Sequence, residues 1–187
     1  MRIVCIGDSV TAGQYLHGPH DHRNPPPGVW PTLIEGHEVI ARGLSNETSR
    51  QILERFPCDV QDLAPDKVVI QCGHNDCNRW PSDRGLPRVS REAFRANLWE
   101  MIDRCRALDA EPILCTITPT LKGEGYEMDA QEYSAIVRGV AMGAAVTVAH
   151  TRRAFLATGF ARLLLDDGIH LNADGHKLYA EVVQACL

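Results

Sequence analysis

Short apolar runs alternate along this chain with longer stretches of helical period. The first run, Arg2-Ile3-Val4-Cys5-Ile6, is almost continuously hydrophobic, as a strand buried on both faces must be. Comparable runs recur at 38–41, 67–72 (Lys-Val-Val-Ile-Gln-Cys), 112–117 (Pro-Ile-Leu-Cys-Thr-Ile) and 145–149. Between them the period changes. Over 90–108, Phe94, Leu98, Met101, Cys105 and Leu108 recur at spacings of four and three, which puts them on one face of a helix. Ser90 is placed to cap it. Thr48-Ser49-Arg50-Gln51 has the spacing of a capping box and predicts a helix with Ile52, Leu53 and Phe56 facing inward. Residues 129–143 predict another. A last helix follows Asn172 and buries Leu178, Val182 and Cys186 or their neighbours. Strands alternating with helices in this way predict a parallel sheet covered on both faces.

No repeat, linker or low-complexity tract divides the sequence, so 1–187 reads as a single domain. The one long irregular stretch is 15–31, which carries His17, His20, His22 and Pro25-Pro26-Pro27. A loop of that length in a small domain is functional or mobile.

Composition narrows the functional classes. The chain has 187 residues, 44% of them hydrophobic, and a formal net charge of -5. That is enough apolar material for a full core. The acidic balance, without any long run of Lys or Arg, argues against a nucleic-acid partner. No segment approaches the ~20 apolar residues of a membrane helix, and the four apolar residues after Arg2 are too few for a secretion signal. No membrane partner is expected, and the reading is a cytoplasmic protein. Seven cysteines, an odd number with no Cys-x-x-Cys pair, fit a reducing compartment better than a disulfide framework.

Parallel sheets bind ligands beyond the carboxyl ends of their strands. The residues just past each expected strand are therefore the first candidates for chemistry. They are Gly7-Asp8-Ser9, Ser45-Asn46, Gly73-His74-Asn75-Asp76, Thr118-Pro119 and, before the last helix, Asp167-Gly168-Ile169-His170. Ser9 would open a helix, where its own N–H is a free donor. A serine there can attack a carbonyl while that N–H stabilises the resulting oxyanion; it can equally be a plain helix cap. Asp167, three residues before His170, can accept the Nδ1 proton of the ring and leave Nε2 free to take the proton of Ser9. The side chain of Asn75 can donate to an oxyanion, though an Asn in a turn is common for its own sake. Asp76 reads as structural, and His176 as a solvated position on the last helix.

Together these segments resemble the SGNH hydrolases, also called GDSL esterases and lipases. Gly7-Asp8-Ser9-Val10 is similar to the family's first block, with Val where Leu is frequent. Gly73-His74-Asn75-Asp76 matches its third block, and Asp167-x-x-His170 its fifth, continued by Leu171-Asn172-Ala173-Asp174-Gly175-His176. The blocks stand in the family's order across residues 7 to 176. The resemblance implies a three-layer α/β/α sandwich with a five-stranded parallel sheet in flavodoxin-like order. It implies that Ser9 is the nucleophile, His170 the base and then the acid, and Asp167 the group that orients it, with no cofactor and no metal. One block departs. The family usually has a Gly two residues before a Ser or Thr after strand two, and its N–H joins the oxyanion hole. Spacing from Thr48 puts Asn46 at that position, while Gly43 matches an earlier glycine. The implied oxyanion hole is therefore Ser9, Asn46 and Asn75.

Other features carry less. His17-x-x-His20-x-His22 has only Asp21 beside it as a further ligand, so a solvated loop is expected there rather than a metal site. Trp30-Pro31 and Trp80-Pro81 could wall a substrate or simply pack. No Gly-x-Ser-x-Gly elbow occurs, against an ordinary α/β-hydrolase. The expectation is a serine ester hydrolase acting on a small-molecule carboxylic ester or thioester, with a small acyl group such as O-acetyl on a carbohydrate. The alternatives are an acyltransferase using the same residues, or a non-catalytic binding module on the same fold.

Overall fold

A computed structural model describes residues 1–14 and 25–187. His17, His20 and His22 lie outside the described residues. Five strands, β1 (Arg2–Gly7), β2 (Glu38–Gly43), β3 (Lys67–Gln71), β4 (Glu111–Cys115) and β5 (Thr147–Ala149), form one parallel sheet in the order β2-β1-β3-β4-β5. The helices are α1 (Ser9–Ala12), α2 (Ser49–Asp59), α3 (His74–Cys77), α4 (Arg91–Arg106), α5 (Glu124–Ala144), α6 (Thr151–Thr158) and α7 (Ala173–Gln184). This is the flavodoxin-like order, in which the crevice beside β1 is the topological switch point.

The near-continuous apolar strands have a direct structural reason. Alternate residues point to opposite faces, and both faces are covered. Val4, Ile6, Val68, Ile70 and Leu114 pack with Phe56 of α2, Phe94 and Leu98 of α4 and Tyr133 and Val137 of α5. Ile3, Cys5, Val69, Ile113 and Cys115 pack on the other side with Phe155 of α6 and Tyr179 and Val183 of α7. Each such large side chain, once fully buried, contributes roughly 1.5–3 kcal/mol.

The expected caps are present. The Ser90 hydroxyl accepts from the Ala93 N–H at 3.2 Å, and the Gln51 side chain accepts from the Thr48 N–H at 2.9 Å. Asn172 caps α7 through the Gly175 N–H at 3.0 Å. The buried residues of α7 are Gly175, His176, Tyr179, Ala180 and Val183, while Leu178, Val182 and, just past the helix, Cys186 are only partly covered. The buried face is thus turned by one position from the leading expectation. β5 begins at Thr147 because α5 runs on to Ala144 and ends in a left-handed cap at Ala145, φ 53°. The short helix α6 is not apparent in the sequence. The end of the 15–31 stretch is structured: Trp30–Leu33 is a turn of 3-10 helix, and Trp30 is fully buried against Tyr179, ring centroids 5.0 Å apart. His176 corrects a second expectation. It is buried, not solvated, and its Nδ1 accepts the Trp30 N–H at 3.3 Å.

Between α6 and α7 the chain makes a hairpin off the sheet. Leu164 and Leu171 form an antiparallel bridge, the Leu165 N–H donates to the His170 carbonyl at 2.8 Å, and the Asn172 N–H donates to that of Leu163 at 3.0 Å. Leu163, Leu164 and Leu171 anchor it in the core.

Candidate active site

Ser9 is the first residue of α1, directly after β1. Asp8 caps that helix by accepting the Val10 N–H at 2.9 Å, and Gly13, φ 70°, ends it. All four residues of α1 are buried. The helix lies on the backbone of β2: a Cβ at Gly43 would fall 2.2 Å from the Ala12 nitrogen, so glycine is required there for the approach itself. From the other side Gln71, at the end of β3, accepts from the Asp8 N–H at 3.2 Å and the Thr11 hydroxyl at 2.8 Å. The position of Ser9 is therefore braced by both neighbouring strands.

The hairpin brings His170 to Ser9. Its Nε2 stands 2.9 Å from Ser9 Oγ, and its Nδ1 stands 2.6 Å from Asp167 Oδ2. The other carboxylate oxygen of Asp167 accepts the N–H groups of Ile169 and His170, both at 2.9 Å. Partial burial opposes ionisation of Asp167, but those two N–H groups and the His170 ring outweigh it and hold the carboxyl below its ordinary range. Gly168, φ 73°, lets the turn close. The turn is gripped from β4's side: the Leu121 N–H and the Thr120 hydroxyl both donate to the Gly168 carbonyl at 2.8 Å, and Glu127 in turn accepts the Thr120 N–H at 2.8 Å. Glu127 is itself paired with the buried Arg152. No sequence pattern marks this clamp beyond the placement of Thr118-Pro119 on the same edge.

His74 is the other histidine close to this edge, and its chemistry differs. It is fully enclosed, with Nε2 2.9 Å from the Thr118 hydroxyl and its ring stacked on Tyr126 at 6.2 Å. Burial, reinforced by the charges of His170 and Arg152, pushes its pKa down to about 3. It stays neutral in the interior, with Nε2 engaged by Thr118.

The turns after β2 and β3 flank Ser9, because those strands flank β1. Asn46 adopts φ 67°, the left-handed region that Asn tolerates better than most residues. The N–H groups of Ser9 and Asn46 have no acceptor among the described residues. Asn75 is the second residue of α3, and its side-chain amide donates to the Glu47 carbonyl at 2.9 Å, which leaves its second N–H available. Asp76 is fully buried and accepts the Ser49 N–H at 2.9 Å, joining α3 to the start of α2. Burial is the main reason its pKa is raised to about 6. For Asp8 burial is again the chief cause, and the value reaches about 7.

A cavity of about 420 Å³ opens beside Ile169, within the Asp167–His170 turn; Asn78, Arg79, Lys122, Tyr126 and Asp129 line it together with Gly125 and Ile169 itself. Arg79 is held there by a bidentate pair with Asp129, at 2.6 and 2.8 Å. Trp80 is partly exposed, and the guanidinium of Arg88 lies 4.3 Å over its ring. Of the two Trp-Pro pairs, then, the first is core and the second faces the edge. Among the described residues no group of three or more His, Cys, Asp or Glu could hold a metal ion, and no helix is long and apolar enough to cross a membrane.

This geometry can be set beside known proteins. In sequence, the chain is 32% identical over 129 residues to YqeF, an uncharacterized lipoprotein of Bacillus subtilis (strain 168); the match covers 66% of this chain and 51%, about half, of that protein's own length. It is 26% identical to the thioesterase 1/protease 1/lysophospholipase L1 of Escherichia coli (strain K12), over 96% of this chain and 79% of the relative. It is 28% identical to an acetylxylan esterase of Geobacillus stearothermophilus, over 81% of this chain and 72% of the relative. Among solved structures, a lipase/acylhydrolase from Enterococcus faecalis superposes with a TM-score of 0.82 at 26% identity, covering 98% of this chain and 93% of that one. The model of the GDSL-like lipase/acylhydrolase family matches residues 5–178. That span takes in every block from Gly7 to His176, and the chain belongs to this family.

Proposed function

We propose that the chain is a serine ester hydrolase in which Ser9 attacks the ester carbonyl and His170 takes its proton. The observation that carries this reading is the continuous relay from Ser9 Oγ to His170 Nε2 and from His170 Nδ1 to Asp167, at 2.9 and 2.6 Å. Asp167 fixes the tautomer in which Nε2 is the acceptor and favours the imidazolium that forms. The carbonyl oxygen becomes an oxyanion held by the N–H groups of Ser9 and Asn46 and by the side chain of Asn75. As the tetrahedral intermediate collapses, the C–O bond to the alcohol breaks and His170 returns its proton to the departing oxygen. Water then attacks the acyl carbon on Ser9 while His170 takes a proton from it; the bond from that carbon to Ser9 Oγ breaks, His170 returns the proton to Oγ, and the acid leaves.

The proposed substrate is a small acyl ester, with acetyl on a carbohydrate as the leading case. Two features support it. The cavity beside Ile169 offers amide, guanidinium, ammonium, phenol and carboxylate groups that can hydrogen-bond the hydroxyls of a carbohydrate leaving group. The Geobacillus stearothermophilus relative is an acetylxylan esterase. All seven cysteines are free thiols, which supports a reducing compartment such as the cytoplasm.

A fluorophosphonate probe should label the wild-type protein on Ser9, and Ser9→Ala should remove the label. Turnover should be compared across p-nitrophenyl esters of increasing chain length and on an acetylated xylo-oligosaccharide, with and without an added alcohol acceptor. Equal labelling of the Ala variant would overturn the nucleophile. Preference for long-chain esters would overturn the substrate class, and ester formation outrunning hydrolysis would make the protein a transferase.

A further inference from the structure

Asn46 stands where glycine is usual in this family, and the structure shows what accompanies it. Arg88 Nη1 lies 3.1 Å from the Asn46 carbonyl oxygen and 3.3 Å from its side-chain oxygen. One guanidinium nitrogen thus meets both oxygens of the same residue. Arg88 is itself held in place. Its own N–H donates to the Asn78 carbonyl at 3.0 Å, the next N–H, that of Val89, donates to the Asp76 carbonyl at 3.1 Å, and its guanidinium rests on Trp80. The 78–89 loop is therefore fastened to α3 and reaches across to the turn after β2.

A glycine enters the left-handed region freely; a residue with a Cβ does so only under constraint, Asn more readily than most. The turn at Asn46 has contacts on its far side: the Glu47 carbonyl accepts from Asn75, and the Ser49 N–H donates to Asp76. At Asn46 itself, Arg88 supplies the side-chain contacts to its two oxygens. We infer that Arg88 is a positioning residue for the reaction proposed above: it clamps the peptide after Asn46 so that a non-glycine residue keeps its N–H directed at the oxyanion. Arg88 does not touch the reacting atoms. It sets the fraction of molecules in which the second main-chain donor is aimed.

This inference rests on the proposed function, and its test separates the two. Arg88→Ala, and Arg88→Met, which keeps an apolar stem against Trp80, are made in the wild type and in Asn46→Gly. Each is assayed for kcat and KM on p-nitrophenyl acetate, with the final extent of fluorophosphonate labelling as the check on the nucleophile. In the wild-type background both changes should lower kcat about 10-fold, less than full loss of an oxyanion donor, with KM within about twofold. In the Asn46→Gly background the same changes should cost no more than about twofold, because glycine holds the turn unaided. Arg88 also bears on Asp76 by its charge, and a role through Asp76 or Trp80 would give the same loss in both backgrounds. Equal losses in the two backgrounds, a rise in KM with kcat unchanged, or no loss at all would overturn the inference while labelling of Ser9 left the esterase reading standing. A wild type that the probe cannot label would remove both.

Discussion

The two sides of Ser9 are built in opposite ways. On the His170 side, four consecutive residues make the working unit. Asp167 grips the N–H groups two and three residues on with one oxygen and the His170 ring with the other. On the Asn46 side, each stretch of the turn is held from a distance in sequence: Asn46 by Arg88, Glu47 by Asn75 and Arg55, Ser49 by Asp76. The first is a local motif that sets its ring against its carboxylate by itself, and the distant clamp on Gly168 only fixes where the motif stands. The second is a loop whose geometry belongs to its neighbours. A base can be oriented by its own turn; a donor that must point at a charge not yet formed needs a frame around it.

The largest expected effect breaks the local side. Asp167→Asn keeps an oxygen for the two N–H groups but offers an amide N–H to Nδ1, so the wrong tautomer of His170 is stabilised. The expected loss in kcat/KM is on the order of 10⁴-fold with the fold retained. A loss below about tenfold, measured with an unchanged circular dichroism spectrum, would mean that the turn does not orient the base.

The framed side should cost less per change and depend on the kind of change. Asn46→Val should lower kcat by roughly 10²-fold, since a β-branched residue cannot hold φ near the observed 67°. Asn75→Ala should cost about the same, through loss of a side-chain donor and of its grip on Glu47. Asn46→Gly should lose no more than roughly a few-fold. Should Asn46→Gly fall as far as Asn46→Val, the Asn46 amide group rather than its main chain is what the substrate meets.

The smallest effect concerns Asp8, which begins the turn into Ser9 between the two sides. Burial raises its pKa from the ordinary 3.8 to about 7. Between those values the folded chain holds a proton that the unfolded chain has released. The stability this contributes is whole below about pH 4 and is lost as pH rises through 7. Asn caps a helix as well as Asp does and cannot ionise. The melting temperature of the wild type should therefore fall between pH 5 and 8, and that of Asp8→Asn should fall less, by about a few degrees. Some fall should persist through Asp76, whose raised value lies about 6. Parallel curves for the two proteins would show that Asp8 ionises without cost inside the fold.

The same contrast governs what can be read from the chain alone. Strands, caps and the Asp167-x-x-His170 unit rest on spacings of two to four residues, and the sequence displays such spacings directly. Gly43 can be matched as a family glycine, but not as the place where α1 touches β2. Arg88, Gln71 and the Thr120–Glu127–Arg152 clamp act across longer separations, most of them tens of residues, and no local pattern marks them. His176 misleads for a related reason: six residues past His170 its position alone suggests solvent, and only the return of the chain to Trp30 covers it. Helix α6 is hard to see because its eight residues, Thr-Arg-Arg-Ala-Phe-Leu-Ala-Thr, bury one large apolar side chain, Phe155, too few for a visible period.

His170, the proposed base, stands on a hairpin, not on the sheet. A few main-chain hydrogen bonds, the Gly168 clamp and three leucines keep residues 163–172 in place, whereas Ser9 is fixed between two neighbouring strands. Segments tied down so differently open with different free energies. Heating should therefore swing His170 away while the sheet, both helical layers and the far-ultraviolet spectrum are still those of the intact molecule. The expected outcome is an inactivation temperature below the unfolding temperature. A substitution that tightens the hairpin should then raise the first and leave the second unchanged.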